Sequence, residues 1–332
     1  MRRVRFHSHG GPEVLAVEEA GIPEPGPGQV LIRTEAVGVN YVDVQIRRET
    51  RPDSIWFRPV PGTLTGDVVG TVEKTGPGAG PDAGPDAGPA WAGSRVAVLL
   101  EDACADYVVA DTGWLVPVPA ELEAGAASML PTTGAVALGA LRAGRLRAGE
   151  TVLVTAGAGA IGHLAVQLAR QLGAETVIAT AGSPAKLALA KELGADVAVD
   201  HSQPGWDDQV RSAVPGGVDV VLEAVGGDTL HRCIELLAPG GRTVVFGASA
   251  GELGSVPVRS LFALKSVTGF SLLAWRAADP EPVRAAVAEL TGLFGSGKLR
   301  AVVGTTLPLA EVSRAHRLLE ERSVPGRLLL VP

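Results

Sequence analysis

TVLVTAGAGAIGHLAVQLARQLG, residues 151–173, decides the fold. Thr151–Thr155 is a compact, β-branched run that reads as a strand. Gly157, Gly159 and Gly162 follow in the spacing G-x-G-x-x-G. A helix then opens, with Ile161, Leu164, Ala165, Leu168, Ala169 and Leu172 on one face of a 3.6-residue period. The first glycine permits a tight turn, the second lets a pyrophosphate touch the backbone, and the third lets helix and strand pack closely. Phosphates placed there meet unpaired N–H groups and the partial positive charge of a helix N-terminus. Ala160 and Ile161, between the second and third glycines, belong to the same cradle. In a chain with 43 glycines the triplet alone says little, and a Gly/Ala turn packed without a ligand is the rival reading. Within strand–turn–helix the triplet points to dinucleotide binding.

The next strand, Thr176–Thr180, bears on which dinucleotide. An NAD site places an acid about 20 residues on, where it grips the ribose 2′-hydroxyl. No acid occurs from Thr176 to Lys191, and Glu175 sits at the wrong end of the strand. The segment Ala181-Gly182-Ser183-Pro184-Ala185-Lys186 instead offers Ser183 and Lys186 to a 2′-phosphate. With 24 Arg and only five Lys in the chain, a lysine here is somewhat more telling than usual. The expected cofactor is NADPH.

Outward from the cradle, strands and helices alternate: TVIAT, VAVD, VDVVLEA, RTVVFG and KSVTGF read as further strands separated by helical segments. Such alternation specifies a parallel sheet wrapped by helices. Residues 1–120 are different, with short β-branched segments between Gly and Pro turns. GPGAGPDAGPDAGPAWAG, residues 76–93, has little to pack and reads as a solvated, flexible loop. The net charge of −7 offers nothing to nucleic acid or an anionic membrane. No apolar stretch has the length of a membrane span, and no apolar run follows Arg2-Arg3 as a signal peptide requires. Two cysteines exclude a four-cysteine zinc site and fit a reducing, cytoplasmic setting. GASAG, residues 247–251, matches the hydrolase elbow G-x-S-x-G, but ELGSVPV after it reads as a loop where that motif needs a helix.

The chain resembles the zinc-independent branch of the medium-chain dehydrogenase/reductase superfamily, quinone oxidoreductases and enoyl reductases above all. The marks are AVGVNYVDVQIR (36–47), PGTLTGDVVGTVEKTGPG (61–78), MLPTTGAVALGAL (129–141), the cradle, VDVVLEAVGG (218–227), LLAPGGRTVVFG (236–247) and RAHRLLEERSVPGRLLLVP (314–332). The resemblance implies an α/β protein. A GroES-like, β-rich catalytic domain would take residues 1–125 and 269–332. A Rossmann domain with a doubly wound, six-stranded parallel sheet would take 126–268. It also implies that Asn40 and Thr133 lie beside the nicotinamide. Lys186, Arg322 and His201 would serve the adenosine and 2′-phosphate end, and Phe246, Gly247 and Phe270 the nicotinamide ribose region. Such relatives are often homodimers joined through the last Rossmann strand.

Two departures shape the chemistry. Zinc-dependent members carry Cys in the segment that here reads GVNYVD, and His where Thr65-Gly66-Asp67 stands. No metal is therefore expected. Without that Lewis acid, suitable hydride acceptors are already electrophilic, namely quinones or α,β-unsaturated carbonyls. Relatives often carry aromatics after the TTG segment, whereas this chain has Ala135, so a roomier substrate pocket is expected there. Tyr41 is either a proton donor or a wall of that pocket. Trp56, Phe270 and Trp275 are further candidates for it. The expected function is an NADPH:quinone oxidoreductase. The alternatives are an enone or enoyl-thioester reductase and, further off, a non-catalytic NADPH-binding protein.

Overall fold

The computed structural model describes residues 1–79 and 91–332, so most of the GPDA loop lies outside the described residues. β1 (Arg2–Phe6) and β2 (Leu15–Glu19) form a two-stranded antiparallel ribbon. β3 (Gln29–Gly38) leads into a short helix, α1 (Val42–Arg48). β4 (Gly66–Thr75), β5 (Arg95–Leu100), β6 (Tyr107–Asp111) and β7 (Val116–Pro117) follow. β3 has Val30, Ile32 and Ala36 buried with exposed Arg33 and Glu35 among them, the pattern of a strand with one wet face.

After α2 (Ala124–Ala127) a wide turn over Leu130–Gly134 enters α3 (Ala135–Ala143), which is where Pro131 interrupts the helical pattern. Then β8 (Thr151–Val154), α4 (Gly162–Gln171), β9 (Thr176–Ala181), α5 (Pro184–Glu192), β10 (Val197–Asp200), α6 (Trp206–Ala213), β11 (Val218–Glu223), α7 (Gly227–Leu236), β12 (Leu237–Val245) and β13 (Ser266–Gly269) alternate. These strands form one sheet in the order β10-β9-β8-β11-β12-β13, parallel throughout. The order reverses at β8, where the cradle emerges. Leu153, Ile178, Val199 and Val221 are buried between sheet and helices with Trp206 and Cys233. Fully burying a side chain of this size stabilises by about 1.5–3 kcal/mol.

α8 (Leu272–Ala278) and α9 (Pro280–Gly295) lead to β14 (Val303–Pro308), α10 (Val312–Glu320) and β15 (Arg327–Val331). The last two strands return to the first sheet, whose order is β14-β15-β3-β4-β5-β7, with β6 also on β3. Residues 1–132 and 291–332 form one compact unit, and 133–290 a second. The sequence reading set the crossings at 125/126 and 268/269. Residues 269–290 group with the second unit because α8 packs on α3 and Arg142 pairs with Glu289 at 2.6 Å. Among the described residues, no helix is long and apolar enough to cross a membrane.

Candidate cofactor site and active-site residues

In the second unit, the parallel sheet gathers its chemistry at the carboxyl ends of the strands. β8 ends at Val154, and Thr155 donates through Oγ1 to the Leu222 carbonyl at 3.1 Å while accepting from the Ala224 N–H at 2.9 Å. One hydroxyl thus ties the turn to the next strand of the sheet. The turn itself puts the left-handed conformation on Ala156 (φ +50°), not on the first glycine. Gly157 is needed for another reason: a Cβ there would sit 2.6 Å from the Ala179 Cβ on β9. At Gly162 a Cβ would collide with the Ala156 carbonyl, so helix and turn meet backbone to backbone. At Gly159 a Cβ would meet only the Ala156 carbonyl oxygen, at 3.2 Å. That face of the turn is open beside the first turn of α4, where the His163 N–H bonds the Gly159 carbonyl at 3.0 Å and the Leu164 and Ala165 N–H groups bond that of Ile161 at 3.1 and 3.0 Å. His163 is buried in that turn and bonds the Gly159 carbonyl through Nδ1 at 2.9 Å, fixing the loop from behind. A pyrophosphate fits this cradle, with Ala160 and Ile161 supplying backbone at its lip.

At the end of β9, Gly182 faces His201 at the end of β10, and Ser183 follows it as the N-cap of α5. A Cβ on Gly182 would lie 3.3 Å from the His201 Nε2, and the His201 N–H bonds the Ala181 carbonyl at 3.1 Å. Lys186 stands in the first turn of α5. Ser183, His201 and the first turn of α5 with Lys186 thus lie at the carboxyl ends of β9 and β10. Phe246, Gly247 and Phe270 follow β12 and β13 at the same edge, with the Phe246 N–H on the Glu223 carbonyl and the Phe270 N–H on that of Val245. Glu223 is buried there and its carboxylate accepts the Val225 and Gly226 N–H groups. Burial pushes its pKa up, against those bonds. Phe270 and Trp275 stack edge to face at 5.6 Å and lie over Gly139 of α3, where a Cβ would sit 2.7 Å from the Trp275 ring. Thr133 and Ala135 are buried at the start of α3. The GASAG segment is followed by loop, without the helix of a nucleophile elbow.

The first unit holds a buried polar cluster. Asn40 leaves β3 and Tyr41 precedes α1, both half-buried. The Asn40 Nδ2 donates to Asp67 at 3.3 Å, and its Oδ1 accepts from the Arg327 guanidinium at 2.8 Å. Arg327 also pairs with Asp67, and neither side chain is exposed at all. Thr132, the last residue of this unit, donates to the other oxygen of Asp67. Asp43 lies close by, accepting the Thr65 N–H (2.7 Å) and hydroxyl (3.1 Å). Burial, against those bonds, pushes its pKa up to about 7. Burial also pushes Asp67 up, opposed by the Arg327 charge and the Thr132 and Asn40 bonds. Trp56 packs partly buried against the core of this unit, and Phe57 tilts over His9 at 5.5 Å. Arg322 follows α10 in the left-handed region (φ +51°). Among the described residues, no group of three or more His, Cys, Asp or Glu could hold a metal ion. Sequence reasoning missed Asp67, Arg327, Thr132 and Glu223 as parts of the site. Asp67 came into view only as part of Thr65-Gly66-Asp67, the segment where zinc-dependent members carry a His, and Arg327 in PGRLLL carries no local signal.

Comparison with known proteins agrees with this architecture. Residues 26–120 match the family model of the alcohol dehydrogenase GroES-like domain, and 160–291 that of zinc-binding dehydrogenase. A quinone oxidoreductase of Pseudomonas aeruginosa is 32% identical, over 100% of this chain and 99% of its own length. The chain belongs to the medium-chain dehydrogenase/reductase superfamily. It is an oxidoreductase of the NAD(P)H-dependent, quinone oxidoreductase-like kind. The crystal structure of Escherichia coli quinone oxidoreductase complexed with NADPH superposes with a TM-score of 0.88 at 28% identity, covering both chains fully. A mycobacterial protein complexed with NADPH gives 0.89 at 32% identity, again over all of both chains.

Proposed function

We propose that this protein is a zinc-independent NADPH:quinone oxidoreductase. The observation that carries the cofactor choice is the end of β9, where Gly182 and Ser183, near His201 and ahead of Lys186, stand in place of a ribose-binding acid. A 2′-phosphate gains charge-assisted bonds there, and no acid stands between Thr176 and Lys191 to grip a ribose hydroxyl instead. Bound NADPH supplies the hydride. Gly157, Gly159, Ala160, Ile161 and Gly162 hold its pyrophosphate. Ser183, Lys186, His201 and Arg322 hold its adenosine end, and Asn40, Thr133, Phe246, Gly247 and Phe270 border the nicotinamide and its ribose. Residues 38–43 contain no Cys and residues 65–67 no His, so the positions that ligate zinc in zinc-dependent members hold no such donors. A quinone needs no Lewis acid, because it is electrophilic as it stands. Tyr41 either protonates the product or walls the pocket, together with Trp56, Ala135 and Trp275.

A panel of acceptors tests this. With NADPH, 1,4-benzoquinone and naphthoquinones should turn over faster than alkenals, cyclic enones or an enoyl thioester. Turnover confined to the enone or thioester members would replace the quinone reading by the enoyl-reductase one. We further propose a homodimer, working in the cytoplasm, joined along β13. That strand is an edge of the sheet, and the segment around it exposes Val258, Phe262, Leu264 and Leu273 at 64–80%. Light scattering should give twice the chain mass for the wild type and the single chain mass for Phe262→Asp. A monomeric wild type would refute the pairing.

A further inference from the structure

We propose that Asp67, acting with Arg327, is a positioning residue that sets which way the Asn40 carboxamide faces. This rests on reading Asn40 as a contact of the nicotinamide. A carboxamide has an acceptor end and a donor end, and its neighbours choose between the two orientations. Here the choice is forced. Arg327 can only donate, so it takes the Asn40 Oδ1, and Asp67 as a carboxylate can only accept, so it takes Nδ2. A flipped amide would set its oxygen against a carboxylate and its NH2 against a guanidinium.

The two ions hold each other as well. Arg327 spans Asp67, Asn40 and the Val39 carbonyl, the last at 3.1 Å. It reaches them because residue 38 is glycine, where a Cβ would collide with the guanidinium. The second oxygen of Asp67 takes the Thr132 hydroxyl, so the same carboxylate also anchors the residue before Thr133. What remains to Asn40 is one Nδ2–H and one lone pair on Oδ1, both with a fixed heading. Buried ions that hold a polar group to one geometry are the usual means of preorganising a site.

Asn40 is the only asparagine in the chain, which makes its amide directly observable. Labelling with [15N]asparagine gives a single side-chain NH2 in the NMR spectrum. In the wild type its two protons should be well resolved, exchange slowly with water and shift on addition of NADPH. The double variant Asp67→Leu/Arg327→Met removes both charges together, a change that buried ion pairs tolerate. In it the NH2 should exchange at least tenfold faster, and the NADPH-induced shift should shrink. The kcat with 1,4-benzoquinone should fall at least tenfold, with a smaller change in KM for NADPH. Arg327→Met alone, which adds no second asparagine, should move the same readouts in the same direction. An NH2 signal and NADPH response unchanged in both variants would overturn the positioning role and leave the cofactor reading intact. A wild-type signal that saturating NADPH fails to move would instead overturn the reading of Asn40 on which the proposal rests.

Discussion

The glycine cradle of the second unit and the buried cluster of the first are built by opposite means. The cradle lies within a dozen consecutive residues and works through backbone: two glycines make room for neighbours, one leaves an open face, and a helix end supplies the polarity. The cluster joins Asn40, Asp67, Thr132 and Arg327, which span 287 residues from first to last, and works through side-chain charge. A local device is tuned by steric room. A long-range one depends on folding the whole unit correctly before any of its bonds exist.

That contrast predicts unequal responses to substitution. Asp67→Ala leaves the Arg327 guanidinium buried without its counter-ion, a change that costs about 3–5 kcal/mol. Urea unfolding should show that loss, whereas Lys186→Ala, on the surface of the second unit, should stay within about 0.5 kcal/mol of wild type. A loss below about 1 kcal/mol for Asp67→Ala would mean that the cluster is not a cooperative unit.

A smaller effect separates two titrating groups of the first unit. Burial pushes Asp43 up to about 7 from its ordinary 3.8, with Cys104, Asp67 and Arg327 as its charged or titratable neighbours. Its stabilising contribution is therefore complete below about pH 4 and lost as pH rises through 7. His316 is held down to about 3 by burial and then by the Arg47 charge, from its ordinary 6.5. Its contribution is complete above 6.5 and lost as pH falls through 3. Each changes stability by about 1.4 kcal/mol per pH unit within its window, with opposite sign, so the two offset between about pH 4 and 6.5. Asp43→Asn should uncover the histidine, its stability relative to wild type falling on acidification. His316→Leu should uncover the aspartate and fall relative to wild type as pH rises. Unfolding curves that track the wild type across this range would contradict both assignments.

The same contrast explains what the sequence made legible. Period-2 and period-3.6 patterns announced the two sheets and the crossover helices, because each is fixed by neighbours a few residues apart. The cradle was legible in full apart from one detail, the left-handed residue, which falls on Ala156 because Gly157 is spent on packing against β9. The partners of Asn40 were not legible. An aspartate in a strand and an arginine near the chain end look like ordinary surface charges until β15 pairs with β3 and brings Arg327 beneath Gly38. Two aromatic contacts also lay beyond the sequence: Trp56 packs partly buried against the core of the first unit, and Phe270 with Trp275 covers Gly139 of α3.

The central claim is that the second unit holds NADPH through the Ser183–Lys186 turn. Titrating the wild type and Lys186→Ala with NADPH and with NADH, followed by nicotinamide fluorescence, tests it most directly. One or two charge-assisted bonds to the 2′-phosphate are worth about 1.5–3 kcal/mol, or roughly ten- to a hundredfold in Kd. The wild type should bind NADPH tighter than NADH by that factor, and Lys186→Ala should lose most of the difference while leaving NADH unchanged. Equal affinities in the wild type, or equal weakening of both cofactors by the substitution, would contradict the account.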